Sequence, residues 1–182
     1  MGAKTVKHTQ LFSARQKTVA LMRKQNKIIS TFGGKKSLAM IDVTGKATIF
    51  REATATGSVK LKPQTVELIE AGKIVKGDPL YTAKIAGVLA AKKTSDLIPL
   101  CHPLPLTNVE VEVKISDRTT VTATSTVKTN AQTGVEMEAL TAVSVALLTV
   151  WDMTKQYEKD AGGQYPSTSI TNIHVVKKFK QA

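Results

Sequence analysis

Cys101 and His102 stand side by side in the proline-punctuated stretch KTSDLIPLCHPLPL, residues 93–106. A thiol beside an imidazole suggests three chemistries: a nucleophile with its base, half of a metal site, or one wall of a pocket. The first two fail on spacing. In extended backbone neighbouring side chains point to opposite faces, so the pair cannot share a proton without an unusual turn. One cysteine and three scattered histidines, His8, His102 and His174, give no ligand spacing that a metal site uses. No metal is therefore expected. A histidine on a rigid loop is ordinarily a satisfied structural residue. What argues for a site is the density of charged groups that end nearby.

The apolar stretch GVEMEALTAVSVALLTVWDMTKQYEKD opens with Glu136 and Glu138 and closes with Asp152 and Lys155. Acids in a first helical turn are ordinarily explained by the helix dipole, and an Asp–Lys pair three apart by a weak surface ion pair. Here the residues between are apolar on nearly every side, which makes charges at both ends less easily dismissed. Glu138 and Asp152 lie about 40° apart around a helix axis and roughly 21 Å apart along it. They share a face but cannot share one small site within a chain. If both ends are functional, another element or subunit must complete each. Lys76 in IVKGDPL and Lys92 and Lys93 in AAKKTSDL add cations. A turn lysine is usually just solvated. A lysine near an aspartate is also what proton transfer on a polyphosphate substrate requires, since ammonium binds phosphate as a point charge and burial lowers its pKa.

These residues need elements to hold them. MIDVTGKATIF reads as a strand interrupted at Gly45. KPQTVELIEAGK reads as a short helix, with Pro63 in its first turn and Gly72 at its end. A second helix is predicted from about Thr82, its alanines and Gly87 permitting close packing. NVEVEVKIS and TTVTATSTVKT alternate apolar and polar residues about Asp117–Arg118, the pattern of an antiparallel hairpin. The long helix is predicted over residues 135–159 and, being apolar nearly all round, to be buried. SITNIHVVKKF supplies a last strand. The sum is an α+β fold with helices layered on one face of an antiparallel sheet.

Composition sets the class. The 182 residues suffice for one domain of ordinary size. No uninterrupted apolar run reaches the roughly 18 residues of a membrane span, so a soluble protein is expected. A lone cysteine fits a reducing compartment. The net charge of +12 suggests nucleic-acid binding until it is divided: residues 1–39 carry nine Lys/Arg and no acid, and the remaining 143 have a net of +3. The basicity belongs to an N-terminal arm, residues 1–38, ahead of a domain over 39–182. The arm is open to three readings: an organellar transit peptide, a polycation for phosphate backbones or anionic surfaces, or a segment that packs on a neighbour. Its FGGKKS is no phosphate loop, because Ile29 stands where the first glycine belongs and Lys36 precedes the serine.

Read together, MIDVTGK, FREATATG, VKGD, TAKIAGVLAAKKTSDLIPLCHPLPL and TGVEMEALTAVSVALL, in this order from Met40, closely resemble the MoaC family of molybdenum cofactor biosynthesis. The resemblance implies a ferredoxin-like α+β sandwich, assembled as a hexamer (a trimer of dimers) with active sites between subunits. It implies a cytoplasmic lyase that converts 3′,8-cyclo-7,8-dihydro-GTP to cyclic pyranopterin monophosphate and releases diphosphate, without metal or cofactor. Carried onto this chain, it makes Lys76 and Lys155 the acid/base pair, with Asp152 orienting Lys155 or shuttling its proton. Leu100, Cys101, His102, Met137 and Glu138 would line the substrate pocket, Arg51 would meet phosphate, and Glu136 would help hold the pocket. Cys101 then becomes pocket wall and His102 a substrate contact. Specific nucleic-acid binding and membrane association are not expected. The chain departs from the family pattern in having Ala131–Gln132 where relatives commonly have Gly-Lys, in lacking a glycine-rich tail, and in its basic arm.

Overall fold

The structure is a computed structural model that describes residues 38–181, together with the backbone of a small antiparallel pair, β1 (Thr31–Phe32) and β2 (Lys35–Lys36). The rest of the basic arm, including His8, lies outside the described residues. The chain divides between Met40 and Ile41, and all the longer elements belong to the second unit.

In that unit the elements run β3 (Ile49–Lys60), α1 (Pro63–Glu70), α2 (Pro79–Lys92), a single turn α3 (Thr94–Leu97), β4 (Leu106–Asp117), β5 (Thr120–Ala131), α4 (Glu136–Glu158) and β6 (Ser169–Lys180). The four long strands form one sheet in the order β4-β5-β3-β6, every neighbouring pair antiparallel. Helices α2 and α4 pack side by side on one face, giving the α+β sandwich expected from the sequence.

Alternation explains the two faces of the sheet. Ala53, Ala55 and Val59 of β3 and Val121, Ala123 and Val127 of β5 point to the helices and are fully buried. Between them, on the opposite face, hydroxyls pair across the strands: Thr54 with Thr126 at 3.0 Å, Thr56 with Thr124 at 3.1 Å, and Ser58 with Thr122 at 3.1 Å. The helices answer with small residues. At Gly87 of α2 an added Cβ would lie 3.0 Å from the Ala142 carbonyl oxygen of α4, so the close packing expected from those small residues is present.

Three expectations need correction. MIDVTGKATIF is not a strand over most of its length: Thr44–Gly45 form a turn, and β3 begins only at Ile49. Helix α2 starts at Pro79, because Asp78 caps it by accepting from the Leu80 and Tyr81 amides at 2.9 and 3.0 Å. Helix α4 is long and apolar enough to cross a membrane by length and composition, and half of that window is buried in the protein. It is buried on one side only. Met137 and Leu148 lie exposed on an outer stripe.

Candidate active site

The carboxyl end of α4 gathers three of the singled-out residues. Lys155 Nζ lies 2.7 Å from Asp152 Oδ1, and Lys76 Nζ lies 2.8 Å from Asp152 Oδ2. Lys76 also donates to the Asp152 carbonyl oxygen at 2.9 Å. The aspartate thus bridges two ammoniums, one from its own helix and one from the loop between α1 and α2. The two cations, Lys155 first, hold the Asp152 carboxyl down at about 2. Asp152 in turn pushes Lys155 up. A lysine lowered by burial is not what this chain presents, because Lys155 is 47% exposed and ion-paired. As it stands the cluster offers two charged donors to an anion, with the carboxylate between them holding both in place.

What fixes this end is a second carboxylate. Glu158 is fully buried, accepts from the Lys62 amide at 3.1 Å on both oxygens, and accepts from Thr168 Oγ1 at 2.5 Å. Lys62 Nζ donates to the carbonyl oxygens of Tyr157 and Lys159 at 3.2 and 2.8 Å. The helix end, the entry to α1 and the entry to β6 are therefore tied together.

The amino end of α4 holds a different group. Glu138 is 3% exposed; its Oε1 accepts from Cys101 Sγ at 3.8 Å, and its Oε2 has no partner among the described residues. Burial raises the Glu138 carboxyl, and burial together with Glu138 raises the Cys101 thiol. Glu138 reaches a cleft of about 320 Å³ that Lys92, Thr94, Ser95 and the segment Pro103–Leu106 also line. Leu100 and Met137, next in sequence to Cys101 and Glu138, are exposed. His102 Nε2 lies 2.7 Å from the Ile41 carbonyl oxygen, so Cys101 and His102 have different partners and form no dyad.

Two further candidates are engaged with the protein. Arg51 donates from Nε to the Ala131 carbonyl at 2.9 Å and from Nη2 to the Gln132 carbonyl at 3.0 Å, holding the loop that leads into α4. Glu136 pairs with Lys178 of β6. Elsewhere Lys93 pairs with Asp96 on the surface.

The structure therefore brings together Lys76, Asp152 and Lys155, and separately Cys101 and Glu138, with the length of α4 between them. Sequence reading missed Glu158 and Tyr157. The first gives no local signal. The second makes its contact with a residue 82 positions away.

The α+β sandwich thus carries two cations around one carboxylate at one end of its core helix, and a buried carboxyl at the other. The MoaC family profile matches residues 40–180, and the chain belongs to that family. A "probable cyclic pyranopterin monophosphate synthase" of Sulfolobus acidocaldarius is 55% identical over 141 residues, 78% of this chain and 98% of its own length. A protein of the same name from Methanococcoides burtonii is 55% identical over 142 residues, 78% of this chain and 89% of its own. A Methanothermobacter thermautotrophicus protein, named as a probable accessory protein of that synthase, is 53% identical over 150 residues, 82% of this chain and 94% of its own.

Proposed function

We propose that this chain is a cyclic pyranopterin monophosphate synthase, a cytoplasmic enzyme of molybdenum cofactor biosynthesis, with residues 39–182 as its catalytic unit. Its substrate is 3′,8-cyclo-7,8-dihydro-GTP. The observation that carries the reading is Asp152 bridging Lys76 and Lys155. Closing a cyclic phosphate needs an alcohol oxygen of the substrate to attack the α-phosphorus while the bond to the β-phosphate breaks. The alcohol proton must go to a base, and diphosphate must leave. The lysines act as the acid/base pair: one, held as ammonium, stabilises the charge that builds on the leaving diphosphate, the other in its neutral form takes the alcohol proton, and Asp152 orients them. At the other end, Glu138, Cys101, His102, Leu100 and Met137 hold the ring system, with Arg51 and Glu136 keeping the loop and helix start in place.

One chain cannot close this site, since the two clusters are roughly 21 Å apart along α4. Val145 is midway between residues 138 and 152. A two-fold axis crossing α4 there would lay each chain's lysine cluster against its partner's Glu138 end. The exposed apolar residues Met137 and Leu148 lie on one stripe with Lys155, since 11 and 18 residues are near-whole numbers of turns. That outer stripe supports a dimer of antiparallel α4 helices as the unit of a larger oligomer, a hexamer of ferredoxin-like chains.

Mixing variants tests both parts. Lys155→Ala and Glu138→Gln proteins, each strongly impaired alone, should reach about a quarter of wild-type turnover after random subunit exchange, because half of the dimers are mixed and half of their sites are intact. Lys76→Ala mixed with Lys155→Ala should regain nothing, since both residues serve one chain's cluster. Recovery in the second mixture and none in the first would break the arrangement. Absence of product from the wild type, supplied with the cyclo-dihydro-GTP, would break the assignment itself.

A further inference from the structure

Lys76 reaches Asp152 from a loop, and loops hold a lysine poorly. An exposed ion pair of this kind is worth at most about 1 kcal/mol, too little to immobilise a four-carbon chain on its own. The loop has its own architecture. Ile74 is buried, and its carbonyl accepts from the Gly77 amide at 3.0 Å, closing a β-turn with Val75 and Lys76 at the corners. Gly77 takes a φ of +99°, which a side chain would oppose. In such a turn the amide of the first corner residue finds no partner within the turn itself. Here the Val75 amide donates to Tyr157 Oη at 3.1 Å. Tyr157 stands on α4, and its ring packs against the core. Its neighbour Glu158 is the buried carboxylate that ties down the helix end.

We infer that Tyr157 is a positioning residue for Lys76: its phenol oxygen holds the peptide next to the lysine while Asp152 holds the ammonium, so that helix α4 grips the turn at two points. The effect on turnover rests on the synthase reading; the effect on the turn does not.

Tyr157→Phe keeps the ring and deletes one oxygen, and it is read first by NMR without substrate. The Val75 amide should exchange at least about tenfold faster, since its acceptor is gone. The Asp152 carboxyl, held at about 2 by Lys155 of its own helix and by Lys76 of the turn, should titrate higher as Lys76 disengages. With substrate, kcat should fall about three- to tenfold while KM moves less than about twofold. In a Lys76→Ala background, assayed over long incubations, the same substitution should cost nothing further. Unchanged Val75 exchange with an unchanged Asp152 titration overturns the inference, and so does an equal loss of kcat when Lys76 is already absent. A wild-type protein that makes no product overturns the synthase reading alone, and the two NMR readouts then decide the role of Tyr157.

Discussion

Two glutamates, one near each end of α4, are both buried and have opposite surroundings. Glu158 has the Lys62 amide and the Thr168 hydroxyl on its oxygens. Glu138 has a distant thiol on one oxygen and, among the described residues, nothing on the other. Burying a carboxyl costs free energy unless donors replace the lost water. At Glu158 the fold supplies them, and the group works as a fastener. At Glu138 the fold leaves the cost standing, beside a cleft and at the helix start where the family resemblance set substrate contacts. Satisfied polar groups hold structure together. An unsatisfied carboxylate at the edge of a cleft is where a ligand can replace the lost water.

Removing the fastener is the harshest test of that contrast. Glu158→Ala leaves a half-buried amide and a buried hydroxyl without acceptors, and unfolding free energy should drop by about 2–4 kcal/mol, measured by urea titration. A loss no larger than an ordinary surface substitution would erase the distinction between the two ends.

Glu138→Gln should do the reverse. Stability should stay within about 1 kcal/mol of wild type or rise, because the substitution removes a group that burial already disfavours in charged form. Turnover should fall about tenfold or more. A destabilised but fully active protein would make Glu138 a structural residue after all.

The smallest effect sharpens the same point through pH. Burial raises Glu138 above its ordinary 4.5, so over the window just above that value the folded chain keeps a proton that the unfolded chain has released. Stability therefore falls as pH rises through the window, and this slope should be missing in Glu138→Gln. Asp152 has the opposite sign: its contribution is present above 3.8 and is lost as pH falls toward about 2. Urea titrations across acid pH separate the two slopes.

How legible all this was in the sequence depended on contrast. The hairpin β4–β5 and helix α4 have long patterns of apolar and polar residues, and their limits were read to within a few residues. Strand β3 was largely missed because its buried side is Ala53, Ala55, Gly57 and Val59 and its outer side Thr54, Thr56 and Ser58, small residues with little difference between them. Gly57 in particular looks like a break. In place it is a close approach, where an added Cβ would lie 2.8 Å from Ile173 and 3.0 Å from Leu147. The separation of the two ends of α4 followed from helix geometry alone. The meeting of Lys76 with Asp152 did not, because nothing local links a loop to a helix 76 residues later. Arg51 shows the same limit, since only coordinates reveal that its guanidinium faces the carbonyls of Ala131 and Gln132.

The strand order has a consequence for the growing chain. Among the described residues, the first long strand to leave the ribosome, β3, is an interior one, whose two neighbours are made later, β5 ending at residue 131 and β6 at residue 180. Until they arrive, both of its edges are open templates for pairing with other chains. A strand rich in valine and isoleucine would be adhesive during that wait. The alanines, threonines, serine and glycine that hide β3 from a reader of the sequence also hide it from other nascent chains.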